Sequence, residues 1–148
     1  ATIPNDRPDA IEQYEWGFTP VWDEKKHLIN ASSESVHEKQ TFKESFEQRR
    51  CVMLADGFYE WEGQRGTKQP YRIERVDDEP FAFAGLWQEY ENGDKHRQVT
   101  ILTTDSNTVV DKIHNRMPVM LEPEEESGGW TQTMRTSCGS CSIRSQMI

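Results

Sequence analysis

The stretch Phe81–Thr104, "FAFAGLWQEYENGDKHRQVTILTT", decides the fold. An apolar run opens it, a β-branched run closes it, and "ENGDK" between them sets Asn beside Gly. That pair tolerates the left-handed backbone of a tight turn, so the two flanks are expected to fold onto each other as a hairpin. Upstream, "PYRIERV" alternates with period two between the turn stretches "EGQRGTK" and "DDEP", which predicts another strand. Further upstream come an apolar strand at Cys51–Leu54, a bend at "ADG" and an extended piece from Phe58 to Trp61. In "TFKESF", Thr41 and Glu44 have capping-box spacing and Phe42 and Phe46 share a helical face, so a helix is expected there, stopping near Arg49. Downstream, "NTVVDKI" reads as a short helix and "HNRMPVML" as a final strand. The sum is α+β: one domain with a curved, antiparallel-rich, barrel-like β-sheet and a few short helices.

Composition bounds the function. A chain of 148 residues is long enough for one core and too short for two comfortable ones, and 5 Trp, 6 Phe and 4 Tyr supply a packed interior. The longest apolar runs, such as "CVML", are four or five residues, too short to span a bilayer, and no secretory leader is visible. Three cysteines give no disulfide framework, which fits a reducing cytosol. A net charge of −9 argues against nonspecific coating of nucleic acid, where clustered Lys and Arg release counterions. A local basic patch is compatible with it. With a mean hydropathy of −0.89, the acidity can equally be a solubility adaptation to high salt.

None of the 26 Asp and Glu falls within Ser127–Ile148, so composition changes at that point. The expected organisation is a domain over 1–126 and a flexible or frameshifted tail over 127–148.

Four short stretches carry candidate chemistry. In "DGFYEW", a strand would set Phe58 and Glu60 on one face, and a carboxyl among aromatic rings loses water and gains affinity for its proton. An edge strand with Glu60 in solvent satisfies the same pattern. In "IHNRMPV", His114 can shuttle a proton and Arg116 can hold a phosphate, or His114 can be a hydrogen-bonded structural residue. In "LINASSES", the Asn30 amide can orient a substrate or close an Asx turn. In "WGFTPVW", an exposed Trp22 can stack on a base, whereas buried indoles at Trp16 and Trp22 would be core, the commoner outcome.

Together "WGFTPVW", "INASSES", "RRCVMLADGFYEW", "KQPYRI", "PFAFAGLW", "TILTT" and "IHNRMPVML" resemble, in order and spacing, the SOS-response-associated peptidase family of abasic-site-processing proteins. The resemblance covers about Tyr14 to Pro123. It implies binding of single-stranded DNA and a covalent protein–DNA crosslink to abasic sites, made by an N-terminal Cys that autoproteolysis exposes. By motif position it implies that Glu60 is the acid/base residue, His114 promotes ring opening and imine exchange, and Asn30 positions the Cys backbone. Trp22 resembles the residue stacked beside the lesion, and Thr103 and Arg116 look like neighbours of the DNA backbone. Expected partners are single strands containing abasic sites, with no membrane, no cofactor and no metal, for a monomer in the cytoplasm that joins the nucleoid during DNA damage.

Two departures bear on this expectation. The chain begins "ATIPNDRPDA" without Met-Cys, so as written it is expected not to crosslink. Cys51 cannot substitute, having no free α-amine and lying in an apolar strand. Ser32 stands where the family usually carries Arg, which weakens the expected grip on one phosphate; Arg49 and Arg50 can compensate or can be solvated helix-end charges. Three other classes stay open: a noncovalent reader of damaged DNA, a cysteine hydrolase built on Cys51 and His114, and a metal or redox module at "CGSC", Cys138–Cys141.

Overall fold

In chain order the strands are β1 (Thr2–Pro4), β2 (Glu15–Trp16), β3 (Asn30–Ser32), β4 (Arg50–Ala55), β5 (Phe58–Glu62), β6 (Gln69–Arg75), β7 (Phe81–Asn92), β8 (Asp94–Asp105), β9 (Arg116–Pro118), β10 (Met120–Leu121) and β11 (Ile143–Met147). Among the described residues, one helix, α1 (Gln40–Gln48), and a single 3-10 turn at Val110–Lys112 accompany them. The computed structural model describes residues 1–63 and 67–121, and the backbone of 143–147. The α+β class with a strongly curled, half-barrel sheet is the one expected.

The hairpin at 81–104 is the spine. β7 and β8 pair from Asn92↔Asp94 to Gly85↔Ile101, and the turn is tighter than "ENGDK" suggests, since only Gly93 separates the strands. Its φ of +85° is the left-handed conformation glycine adopts without cost. β7 is covered on both faces, which explains its unbroken apolar run. Ala82, Ala84 and Leu86 pack toward α1 with Phe18, Phe42 and Leu102; Phe81 and Phe83 pack the other way with Ile73, Ile101, Met117 and Met120. At Gly85 a Cβ would lie 3.0 Å from the Cys51 sulfur and 3.1 Å from the Thr100 carbonyl oxygen, so β7 leaves no room for a side chain there.

Beyond Gly85 and Ile101 the hairpin strands splay, and 116–121 fills the gap. The single final strand expected at "HNRMPVML" is therefore two. β9 pairs with β8, β10 pairs with β7, and Val119 between them donates to the Leu102 carbonyl (2.8 Å) while accepting from the Ala84 N–H (2.9 Å). Nor is it the last strand, because Ile143–Met147 runs antiparallel to β6. The rest of the expected tail, 127–142 and 148, lies outside the described residues.

The capping box does not form. α1 starts at Gln40, so Thr41 already sits in its first turn, and Lys39 takes the N-cap position with no side-chain bond. A preceding turn winds the chain into the helix: the Ser35 carbonyl accepts from the Glu38 and Lys39 N–H groups, and the Lys39 carbonyl from those of Phe42 and Lys43. Phe42 does share a face with Phe46, as its spacing requires, and the helix stops at Arg49.

Two elements position the site. β5 and β6 form a hairpin of their own sheet, with Glu60 opposite Tyr71. β2 and β3 run parallel to β8, bringing Trp16 beside Val99 and Asn30 beside Ile101. The segment after β2 is fixed by buried Gln98, whose Oε1 accepts from the Thr19 and Gln88 N–H groups (2.8 Å each) and whose Nε2 donates to Thr19 Oγ1 and Glu15 (2.9 Å each).

Candidate functional site

A cleft of about 650 Å³ opens where β5 faces the splayed ends of β8 and β9. Its floor is apolar, from Phe58, Phe83, Ile101 and Met117, with Phe58 edge-on to Phe83 at 5.9 Å. Trp16, Tyr59 and Trp61 form aromatic walls, each about half exposed. Asn30, Glu60 and His114, separated by up to 84 positions in the chain, all line this one space, with Thr103 and Arg116 beside them.

Glu60 shares a face of β5 with Phe58 and is half-buried, whereas Tyr59 and Trp61 between and after them are exposed. β5 is the edge strand of its sheet, as the solvent-facing alternative required, but Glu60 is half-buried on the cleft rather than fully in solvent. Burial raises its pKa, opposed by the charge of His114, the backbone N–H of Trp61 and the charge of Lys68. The carboxyl thus keeps its proton to higher pH than a solvated glutamate does.

His114 is held at the mouth by local backbone geometry. Asn107 Oδ1 accepts from the Val109 and Val110 N–H groups (3.0 Å each), and the Val110 carbonyl accepts from the Ile113 and His114 N–H groups (2.8 Å each), closing the 3-10 turn. The imidazole Nδ1 lies 3.1 Å from both the N–H and the carbonyl oxygen of Arg116. A neutral ring accepts from the first and carries its proton on Nε2; a charged ring donates to the second. Both protonation states therefore have a partner in one ring position.

Asn30 opens β3 and is exposed to the cleft. Its side-chain amide makes no hydrogen bond among the described residues, so the Asx turn that its sequence permits is not formed. Both terminal nitrogens of the Arg116 guanidinium are engaged. They donate to both oxygens of Glu34 (3.0 and 2.7 Å), to Asp105 (2.8 Å) and to the Thr103 carbonyl (2.7 Å), with Ser32 and Thr103 hydroxyls at 3.5 Å. Glu34 is held down to a pKa of about 2, chiefly by Arg116. Ser32, in the position where an arginine was expected, donates to Glu34.

The remaining candidates lie elsewhere. Trp22 is 62% exposed, outside the cleft lining; its Nε1 donates to Thr41 Oγ1 and Lys26 sits 4.2 Å over its ring. Neither Trp16 nor Trp22 is core, contrary to the commoner outcome for such a pair, because the "WGFTP" segment turns Phe18 inward instead. Arg49 pairs with Glu44 (3.0 Å) and lies near the Trp87 ring, and Arg50 leads β4; neither lines the cleft. The aromatic walls were missed from sequence. Trp16 and the neighbours of Glu60 were the available signal, but exposure at a cleft is set by tertiary packing.

Cys51 is fully buried against Trp87 and Val99, its thiol pushed far up by desolvation, and it lies outside the cleft. That removes the hydrolase pairing with His114. Cys138 and Cys141 lie outside the described residues, among which no group of His, Cys, Asp and Glu is placed to hold a metal ion. Nor is any described helix long and apolar enough to cross a membrane.

The family model described as SOS response associated peptidase (SRAP) matches residues 2–142. The abasic site processing protein YoqW of Bacillus subtilis is 39% identical over 133 residues, covering 84% of this chain and 59% of that protein. The abasic site processing protein HMCES of Xenopus tropicalis is 34% identical over 143 residues, covering 78% and 43%. A crystal structure of a Bordetella bronchiseptica protein superposes with a TM-score of 0.78 at 26% identity, over 91% of this chain and 75% of that one. The chain thus spans well under two thirds of the length of these curated relatives.

Proposed function

Because this chain belongs to the SOS response associated peptidase family, we propose that its cleft receives an abasic site in single-stranded DNA and that the whole protein processes the lesion there. The observation that carries this reading is the convergence of Asn30, Glu60 and His114 on one cleft with an apolar floor and aromatic walls. A sugar without its base leaves room above the floor, and the flanking bases find π-faces on which to stack.

In a form of the protein carrying the family's Met-Cys start, autoproteolysis frees the Cys amine. Ring opening of the abasic sugar exposes its aldehyde, the amine adds to that carbon, and loss of one water gives an imine. The thiol then adds across the C=N bond, closing a thiazolidine, so one water leaves and a C–N and a C–S bond form. Glu60 takes the proton from the attacking amine and returns one to the departing oxygen, a task suited to a carboxyl whose pKa lies above the ordinary range. His114 protonates the ring oxygen as the sugar opens, and its two Arg116 partners let it change charge without moving. The Asn30 amide fixes the Cys backbone. Trp22 stacks on an outlying base, and Thr103 borders the DNA backbone. Such work belongs in the compartment that holds the DNA, which is the cytoplasm in a bacterium.

The test is fluorescence-anisotropy binding of this chain to three oligonucleotides: an abasic single strand, the same strand intact, and its duplex. Tightest binding to the abasic single strand is expected. Equal binding to all three, or to none, would overturn the reading. Stable binding without an adduct in the Met-Cys form would identify a noncovalent reader instead.

A further inference from the structure

Among the described residues Arg116 is the arginine that lines the cleft, and four of its five donors are already spent. Glu34 takes two of them, Asp105 a third, and the Thr103 carbonyl a fourth. The trio of Arg116, Glu34 and Asp105 sums to one negative charge. Asp105 is 90% exposed and Glu34 48% at the side chain, so a phosphate approaching from solvent meets two carboxylates before it meets the guanidinium. Ser32 adds no cation and instead donates to Glu34. The other ionisable groups among the described lining residues are Glu60 and His114, with Lys68 close enough to act on Glu60 electrostatically. Trp16, Tyr59 and Trp61, in contrast, present half-exposed rings.

We infer that Glu34 and Asp105 are specificity-determining residues that cancel the charge of Arg116, so that this cleft takes single-stranded DNA by stacking, with little dependence on salt. The inference rests on the proposed function and adds what sets the mode of binding. Each phosphate neutralised by a protein cation contributes about −0.7 to the slope of log affinity against log salt for single strands. With Arg116 cancelled, the slope stays smaller than about 1 in magnitude. Stacking makes no such contribution, and each base lost from an aromatic partner weakens binding by about tenfold or more at every salt concentration.

The experiment measures affinity for an abasic single strand across a potassium chloride series. It uses the full chain, Asp105→Asn, Glu34→Gln/Asp105→Asn and Trp61→Ala. A shallow slope for the parent, a slope steeper by about 0.7 for the double variant with tighter binding at low salt, and an unchanged slope with uniformly weaker binding for Trp61→Ala are expected. The exposed Asp105→Asn change alone, which leaves folding untouched, should give part of that steepening. A steep parent slope, or a double variant whose slope matches the parent's, overturns this inference while leaving the functional reading intact. Absence of binding at all salt concentrations overturns both.

Discussion

Arg97 and Arg116 are two of the arginines clasped by carboxylates in this molecule, and their surroundings differ in one respect. Arg97, on β8, closes a latch over the N-terminal segment: it donates to Asp6 (2.7 and 3.1 Å) and the Tyr14 hydroxyl (2.7 Å), and lies 4.1 Å over the Trp87 ring. Tyr14 donates to Glu12 and Trp87 Nε1 donates to Asn5. Every polar group named there has a partner, and the rings are covered. Around Arg116 lie further ion pairs, yet next to them are an amide with no partner among the described residues, a carboxyl short of water and three half-exposed rings. Folding alone selects for satisfied groups, and the proposed binding role accounts for the departure from that rule at the cleft. Acid titration separates the two regions: Arg97 lowers the pKa of Asp6, whereas burial raises that of Glu60.

The comparison breaks first at Arg97. Replacing it with alanine uncovers Trp87 and Tyr14 and removes the partner of the exposed Asp6, for an expected loss of about 2 kcal/mol in urea unfolding. Arg116→Ala, whose partners face solvent, should cost about 1 kcal/mol or less. Similar losses for both would dissolve the distinction.

A smaller effect of opposite sign is expected at Glu60. Its folded pKa is raised, so ionising it opposes folding as pH climbs above the ordinary carboxyl value of 4.5. Glu60→Gln should therefore stabilise the chain at neutral pH by on the order of 1 kcal/mol, with the gain fading below that value. Glu34 titrates the other way. Its contribution is present above 4.5 and disappears as pH falls toward about 2. Urea melts of Glu34→Gln and Glu60→Gln across pH 2–7 would read both signs, and parallel curves would contradict them.

The smallest effect lies in the core between the regions. Thr100 Oγ1 is buried without a hydrogen-bond partner among the described residues. Thr100→Val should raise stability by about 1 kcal/mol or less, measured by thermal unfolding; a loss would mean that the hydroxyl has a partner.

The hairpin was legible because Asn-Gly between apolar runs has few other solutions, and so was the face of Glu60, which period two fixes once β5 is a strand. The pairing of β2 and β3 with β8 was not, since two or three residues carry no period. The capping box failed because the turn at Ser35 winds the helix two residues earlier than Thr41 would. Glu34 reaches Arg116 across 82 positions, and nothing local in "INASSES" or "HNRMPV" announces that bond. Convergence of Asn30, Glu60 and His114 was expected from motif order alone; the uncovered rings beside them were not, because exposure is decided by what fails to pack on them.

The most direct measurement is the pH dependence of crosslinking to an abasic single strand, in the Met-Cys form, for the parent and Glu60→Gln. The account predicts a parent profile that rises through an apparent pKa above that of a solvated glutamate. In the variant that limb disappears and the rate at neutral pH drops by about a hundredfold or more. Superimposable profiles would remove the Glu60 carboxyl from the chemistry.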